Sequence, residues 1–349
     1  MKALFFIIIF VALAVACWQF VKLLGLAKAD DQTATEKENN INGWLMLILM
    51  GFIYGLMVYS MYGAKDVLLP QLSASEEGKH IDILFKITMV LIMVVQFITQ
   101  FLIFYFTFKY RGIKGRKAYF FADSHKLETI WTVIPAVVLA GLIFYGLWTW
   151  NQVMDSSDAE NPLMVELYAK QFQWEARYAG NDHELGYANV RFIEGTNTMG
   201  VDFSDKNALD DIPLMVSEGK FVKELHLPKG RPVIFKLRSQ DVLHSAYMPH
   251  FRAQMNCVPG MVTEISFTPT VTTAEMRLND DTVAKYEGIN KIRSDRGDET
   301  VEFDYLLLCN KICGSNHYNM QLKIVVDEEE DFNKWLASQK TFAQLNNKN

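Results

Sequence analysis

Cys309-Asn310-Lys311-Ile312-Cys313-Gly314-Ser315-Asn316-His317-Tyr318-Asn319-Met320 is the stretch on which the reading of this chain turns. It carries two thiols, an imidazole and a thioether, the last three at offsets of four, eight and eleven residues from the first. Such soft ligands suit copper better than magnesium, calcium or manganese. A mononuclear blue-copper site takes one Cys, two His and a weak axial Met, so a second Cys needs its own explanation. Two thiolates can bridge two copper ions. A local Cys309–Cys313 disulfide and a zinc site completed by histidines are the other readings. Met320 speaks against zinc, for which a thioether is a poor ligand.

Working outward, Ser239-Gln240-Asp241-Val242-Leu243-His244-Ser245, followed by Pro249 and Pro259-Gly260, supplies a further nitrogen donor in His244. Together the two segments resemble subunit II of the haem-copper cytochrome c oxidases, over roughly Ile83 to Leu336. That family carries a binuclear copper centre, CuA, in a cupredoxin domain. The resemblance implies His244, His317, Cys309, Cys313, Met320 and the main-chain carbonyl of Lys311 as the metal ligands. His250 is the competing upstream imidazole, but the family pattern selects the His that follows Asp-Val-Leu.

Half of the 349 residues are hydrophobic, yet mean hydropathy is only +0.05, so the apolar residues must be concentrated. Four uncharged runs hold them: Ala3 to Val21, Trp44 to Tyr62, Ile87 to Phe108 and Thr129 to Trp150. Each is close to the roughly 20 residues that span a bilayer as a helix. The last two match the family's paired anchor helices; the first two are additional. Between the third and fourth runs, Lys109, Arg111, Lys114, Arg116, Lys117 and Lys126 face only Asp123 and Glu128. This loop is therefore expected on the cytoplasmic side, and the chain beyond Trp150 outside. Lys2 and Ala14-Val15-Ala16 would also fit a cleaved signal peptide. Three remaining spans would then leave the copper domain in the cytoplasm, so retention is the reading adopted. Cys17 reads as a buried helix cysteine. Ala27 to Asn42 reads as a solvated polar linker, and Gly63 to Lys86 as an outward loop.

After Trp150 the period changes to two. Val233, Phe235 and Leu237 alternate with Ile234, Lys236 and Arg238, and Met320, Leu322 and Ile324 with Gln321, Lys323 and Val325. That is the pattern of a β-sandwich or barrel. The expected organisation is a membrane-anchored protein with additional spans at 1–26 and 43–63, a two-helix hairpin at 84–150, and an all-β Greek-key cupredoxin domain at 160–340. Surface insertions are expected at about 179–217 and 279–300, both rich in Asp, Asn and Gly. Asp327-Glu328-Glu329-Glu330-Asp331 reads as a helix start whose acids suit the positive end of the dipole; the alternative is attraction of a basic cytochrome c. A net charge of -6 argues against nucleic acid, for which a basic patch is expected.

The resemblance carries functional expectations, and this chain departs from some of them. Subunit II takes electrons from cytochrome c and passes them to the haem and copper centres of subunit I, where oxygen is reduced to water and protons are pumped. Such a chain sits in a bacterial inner membrane with its copper domain in the periplasm. Glu128 matches a family carboxylate near a proton-uptake path; the alternative is a helix-terminal carboxylate. Many members hold a Glu between the two cysteines that links copper to a magnesium ion; Lys311 cannot ligate magnesium, which puts that site in doubt. Phe172 stands where many members place the electron-receiving Trp, with Trp174 two residues on. Cys257 reads as a buried thiol. These departures suggest a donor other than a generic soluble cytochrome c, such as a haem c domain in a quinol-oxidising partner complex. The chain has no Cys-x-x-Cys-His motif for haem c of its own. A copper-free quinol oxidase subunit is disfavoured by the full ligand set, nitrous oxide reductase by the lack of room for its propeller, and a copper store by too few clustered Met and His.

Overall fold

The computed structural model describes residues 2–26, 34–64, 72–157, 159–214 and 224–346. The chain divides into two compact units, 1–63 with 92–124 and 64–91 with 125–349.

The first unit is helical. It holds α1 (Lys2–Leu26), α2 (Glu36–Gly63) and the inner part of α3 (Glu76–Lys109). The polar linker expected up to Asn42 is already helix from Glu36. A capping box explains this: the Glu38 amide donates to Thr35 Oγ1 at 3.3 Å, and the Thr35 amide to the Glu38 carboxylate at 2.8 Å. The helix packs on α3 through a small residue. Gly43 is buried, and a Cβ there would lie 2.8 Å from Arg111 Cδ. Trp44 meets Phe108 edge-on with ring centroids 4.9 Å apart, and Tyr54 donates to the Phe97 carbonyl at 3.0 Å. Cys17, expected to be buried, is exposed on α1, whose described residues face almost wholly outward.

Among the described residues, three helices are long and apolar enough to cross a membrane: α2, α3 and α4 (His125–Met154). In α1, Val11–Leu23 is apolar among the residues whose side chains are described.

The second unit is a β-sandwich with α4 and the outer turns of α3. Its strands are β1 (Leu163–Lys170), β2 (Gln173–Tyr178), β3 (Ile212–Pro213), β4 (Glu224–Pro228), β5 (Val233–Ser239), β6 (His244–Met248), β7 (Ala253–Cys257), β8 (Thr263–Phe267), β9 (Tyr305–Cys309) and β10 (Gln321–Asp327). One sheet runs β3-β2-β1-β5-β8, the other β4-β10-β9-β6-β7. Strands β1 and β5 pair in parallel, as do β4 and β10. This is the all-β cupredoxin-type architecture expected. The alternation sets its core: Val165, Leu167, Val233, Phe235 and Leu237 from one sheet face Leu225, Tyr305, Leu307 and Ile324 from the other, all buried.

The outer turns of α3 are fastened to this sandwich. The helix starts at Glu76, well before the end of the outward loop expected to run to Lys86, with Ser75 Oγ accepting from the Gly78 amide. Ala74 lies in the sandwich core, Glu77 accepts from the Thr268 amide at 2.8 Å, and Asp82 takes both arms of Arg252 at 2.9 and 3.0 Å.

Both insertions are built structures. The described part of the first covers the outward face of β1, β2 and β5, where Tyr168 packs with Met199, Val201, Ala208 and Phe342. Under it Arg177, 2% exposed, binds Glu166, donates to Asp211 at 2.5 Å and to the Gly186 carbonyl at 2.7 Å. Arg238 closes the array on Glu166. Burial pushes Asp211 up to about 7 against the pull of Arg177. The second insertion is helix α5 (Asp280–Arg296), capped at both ends: Asn279 accepts from the Thr282 amide, and Gly297 ends the helix at φ 78°. The acidic run opens α6 (Glu329–Ala337), where Phe332 is buried.

Candidate metal centre

Two neighbouring strands bring the donor atoms together. His244 opens β6, Cys309 closes β9, and the two strands pair through Ala246 and Cys309. The stretch Asn310 to Met320 is the connection from β9 to β10, closed by the Cys309 amide on the Met320 carbonyl at 3.1 Å. The Asn310 amide ties it to β6 through the Ser245 carbonyl at 3.0 Å. A loop pinned at both ends to packed strands holds its side chains without needing regular structure of its own.

The sulfurs are not bonded to each other. Cys309 Sγ and Cys313 Sγ stand 3.8 Å apart, where a disulfide needs about 2.05 Å. Around Cys309 Sγ lie His244 Nδ1 at 3.7 Å and the Lys311 carbonyl at 3.2 Å. Around Cys313 Sγ lie His317 Nδ1 at 3.6 Å and Met320 Sδ at 3.9 Å. The ligand atoms of His244, Cys309 and Cys313 all fall within 4.8 Å of one another. Each cysteine thus has its own histidine and its own weak donor. His244, Cys309, Cys313 and Met320 are buried. Burial, reinforced by the adjoining Cys309, pushes the Cys313 thiol up to about 11. A metal taking this site must therefore displace protons.

A ring of supporting contacts escaped the sequence. The far nitrogen of His244, Nε2, lies 2.8 Å from Asp241 Oδ1, the carboxylate–histidine arrangement that orients a metal-binding imidazole. Asp241 Oδ2 also accepts the Gln171 amide at 2.7 Å, and the Gln171 side chain donates to the Cys313 carbonyl. Although burial pushes the Asp241 carboxyl up, the Gln171 amide, the His244 ring and the Val242 amide hold it below the usual carboxylate value. The signal for Asp241 was local, three residues before His244. That for Gln171 was not, because it arrives from a different sheet.

Gly314 closes the constellation. Its φ is +139°, and a Cβ would lie 2.9 Å from Gln171 Nε2 and from the Phe172 ring, so a side chain there is both strained and crowded. Phe172 is therefore half-buried against the metal loop. Trp174 is 7% exposed with its ring centroid 6.4 Å from that of His244.

Other candidates lie elsewhere. His250 is wedged edge-on between Phe303 and Tyr305, its Nδ1 has no hydrogen-bond partner among the described residues, and burial pushes it down to about 4. Cys257 pairs with His244 across β6 and β7 but is fully buried, and burial pushes its thiol up to about 12. Such a thiol is inert. Glu128 lies in the first turn of α4, 3.6 Å from His125. In the acidic run, Asp327 binds His226 and Glu328 binds Lys229. Seven-residue β10 separates that run from Met320, about 20 Å at the rise of a strand. It belongs to the helix start, not to the metal end.

Comparison with known proteins gives the kinship of the chain. Residues 63–148 match the family described as cytochrome c oxidase subunit II, transmembrane domain. The alternative cytochrome c oxidase subunit 2 of Bradyrhizobium diazoefficiens is 37% identical over 246 residues, covering 70% of this chain and 75% of that one. Cytochrome c oxidase subunit 2 of Cereibacter sphaeroides is 22% identical over 275 residues, 76% of this chain and 78% of that one. Among solved structures, the periplasmic domain of subunit II of cytochrome oxidase from Bradyrhizobium japonicum aligns with 53% of this chain and 95% of its own at 17% identity and a TM-score of 0.30. On the sandwich, the membrane helices and this kinship, the chain belongs to the cytochrome c oxidase subunit II family.

Proposed function

We propose that this chain is the electron-receiving subunit of a haem-copper oxidase and holds a binuclear copper centre of the CuA type. The observation that carries the reading is the division of donors, His244 and the Lys311 carbonyl on Cys309, His317 and Met320 on Cys313, around two sulfurs left unbonded at 3.8 Å. A single zinc or blue-copper ion would leave part of this set unused. The donor chemistry fits copper: two thiolates, two imidazoles, one thioether and one carbonyl. When bound, the copper pair supplies one-electron transfer.

The residues do the rest by staying still. Asp241 holds the His244 ring, Gln171 holds the carbonyl of Cys313, and Gly314 lets Phe172 close over the loop, so the ligand positions are fixed before a metal arrives. Phe172 and Trp174 are the aromatic side chains between donor and metal loop in this reading. The electron comes from a haem c, free or held in a partner complex, and leaves for the haem and copper centres of subunit I, where oxygen is reduced and protons are pumped. Excess Lys and Arg in the loop between α3 and α4 favours a cytoplasmic loop and an outer, periplasmic sandwich in a bacterial inner membrane. Four spans, with α1 and α2 as additions to the two-helix anchor, agree with that orientation. Lys311 leaves no carboxylate at its position for magnesium.

Electron paramagnetic resonance of the purified, copper-loaded protein tests the centre. A seven-line hyperfine pattern with two coppers per chain is expected. A four-line pattern, one metal per chain, or a Cys309–Cys313 disulfide in the loaded protein would overturn the proposal.

A further inference from the structure

An open groove of about 770 Å³ runs along α2, lined among the described residues by Glu36 and Lys37 at its start and by Ile41, Trp44, Leu45 and Ile48 beyond. That volume lies within the roughly 300–1,000 Å³ of ligand sites. Lys37, Ile41, Trp44, Leu45 and Ile48 recur at helical spacing and so form one stripe. The close approach to α3 is made by Gly43, which lies against Arg111 and Phe108. The six lining residues are all exposed.

The groove has the length and polarity of one membrane leaflet. Eleven positions separate Lys37 from Ile48, about 16 Å at the rise of an α-helix. Half of a hydrocarbon core of about 30 Å has the same length. Its polar end is level with the end of α3, because Asn40 accepts from Arg111 Nε at 2.6 Å, two residues past Lys109. The charges at that end are opposite and open. Glu38 is spent on Thr35, but neither Glu36 nor Lys37 has a partner among the described residues. A phospholipid headgroup with a phosphate and a primary ammonium offers the two opposite charges, with acyl chains one leaflet long behind them. An anionic headgroup would set like charge against Glu36. A membrane-crossing helix of a partner needs a contact face of roughly 20 residues, whereas this groove ends at Ile48.

We infer that the α2 groove is a binding site for an ethanolamine phospholipid of the leaflet that meets the α3–α4 loop. Lys37 takes the phosphate, Glu36 accepts from the ammonium, and one acyl chain lies along Ile41, Leu45 and Ile48 with Trp44 at its side. The site belongs to an added helix and is independent of the copper centre.

The test counts bound phospholipids by mass spectrometry on the full chain in its purified complex, stripped in detergent and reloaded from vesicles of phosphatidylethanolamine, phosphatidylcholine or phosphatidylglycerol. One phosphatidylethanolamine per chain is expected to stay bound, roughly tenfold more firmly than phosphatidylcholine, whose methylated ammonium gives Glu36 no N–H to accept. Glu36→Gln should erase that preference while phospholipid stays bound. Lys37→Glu should weaken retention of both lipids roughly tenfold, the scale of one hydrogen bond to a charged group. Leu45→Trp, which fills the groove and leaves both charges in place, should release lipid as well. Glu36 and Lys37 are exposed, so their variants keep the fold, and unchanged helix content and copper content check this. Equal retention of phosphatidylethanolamine by the parent and all three variants would overturn the inference. So would tighter binding of phosphatidylglycerol than of phosphatidylethanolamine, or a quinone or polypeptide crosslinked to Leu45 in place of phospholipid.

Discussion

The two ends of the sandwich's chemistry are organised by opposite rules. Under the first insertion, the buried Glu166, Arg177 and Asp211 and the half-buried Arg238 pair with one another. At the metal end the buried groups are thiols, imidazole and thioether, and the one carboxylate near them is spent on orienting a ring. The first array holds because each charge has its opposite, and removing one strands another. The second is held by backbone and packing, and its donors are left facing each other. The first array turns its charges on one another; the second turns its donor atoms on one shared spot.

The largest effect is expected at Arg177. Replacing it with Met leaves Asp211 buried without a cation and Glu166 with Arg238 alone, and breaking a buried pair in this way typically costs about 3–5 kcal/mol. Thermal unfolding of the full chain in detergent should show the loss, while the copper spectrum below the transition stays that of the parent. A change in the copper spectrum without lost stability would show that the two regions are not independent.

His250 comes next. Its folded value is about 4 against 6.5 for the free group, so between those values the unfolded chain takes up a proton that the folded one refuses. Stability from this group is therefore full above pH 6.5 and is lost as the pH falls towards 4, by about 3 kcal/mol. His250→Phe fills the same space between Phe303 and Tyr305 without a titrating group and should lose that much less stability over the same range. Equal acid sensitivity in both proteins would rule out His250 as the source.

The smallest effect belongs to the metal end. Asp241→Asn keeps the shape but weakens the hold on the His244 ring, and copper affinity should fall roughly ten- to a hundredfold. Unfolding of the copper-free chain should barely move. A copper affinity equal to the parent would mean that Asp241 serves only the Gln171 amide.

Much of this was legible along the chain because its causes are local. Apolar runs of helix length, alternation at 233–238 and 320–325, and the Cys-Cys-His-Met spacing each state their meaning within a dozen residues. Even the helices that begin earlier than expected carry local signs, Thr35 with Glu38 and Ser75 with Gly78. The first insertion could not be read that way. Its Asp and Gly residues are composition typical of a loop, and only in the fold does Asp211 meet Arg177 and Gly186 give it a carbonyl.

Sequence alone therefore determined which side chains offer soft donor atoms, which segments are apolar enough for a membrane, and which faces of the strands turn inward, since each depends on residue type and short-range period. Tertiary structure decided that Gln171 and Asp241 brace the site, that an insertion seals a buried ionic array, and that the acidic run lies far from the metal. Those outcomes depend on which strands become neighbours, and strand pairing joins residues whose separation in sequence carries no signal of their closeness in space.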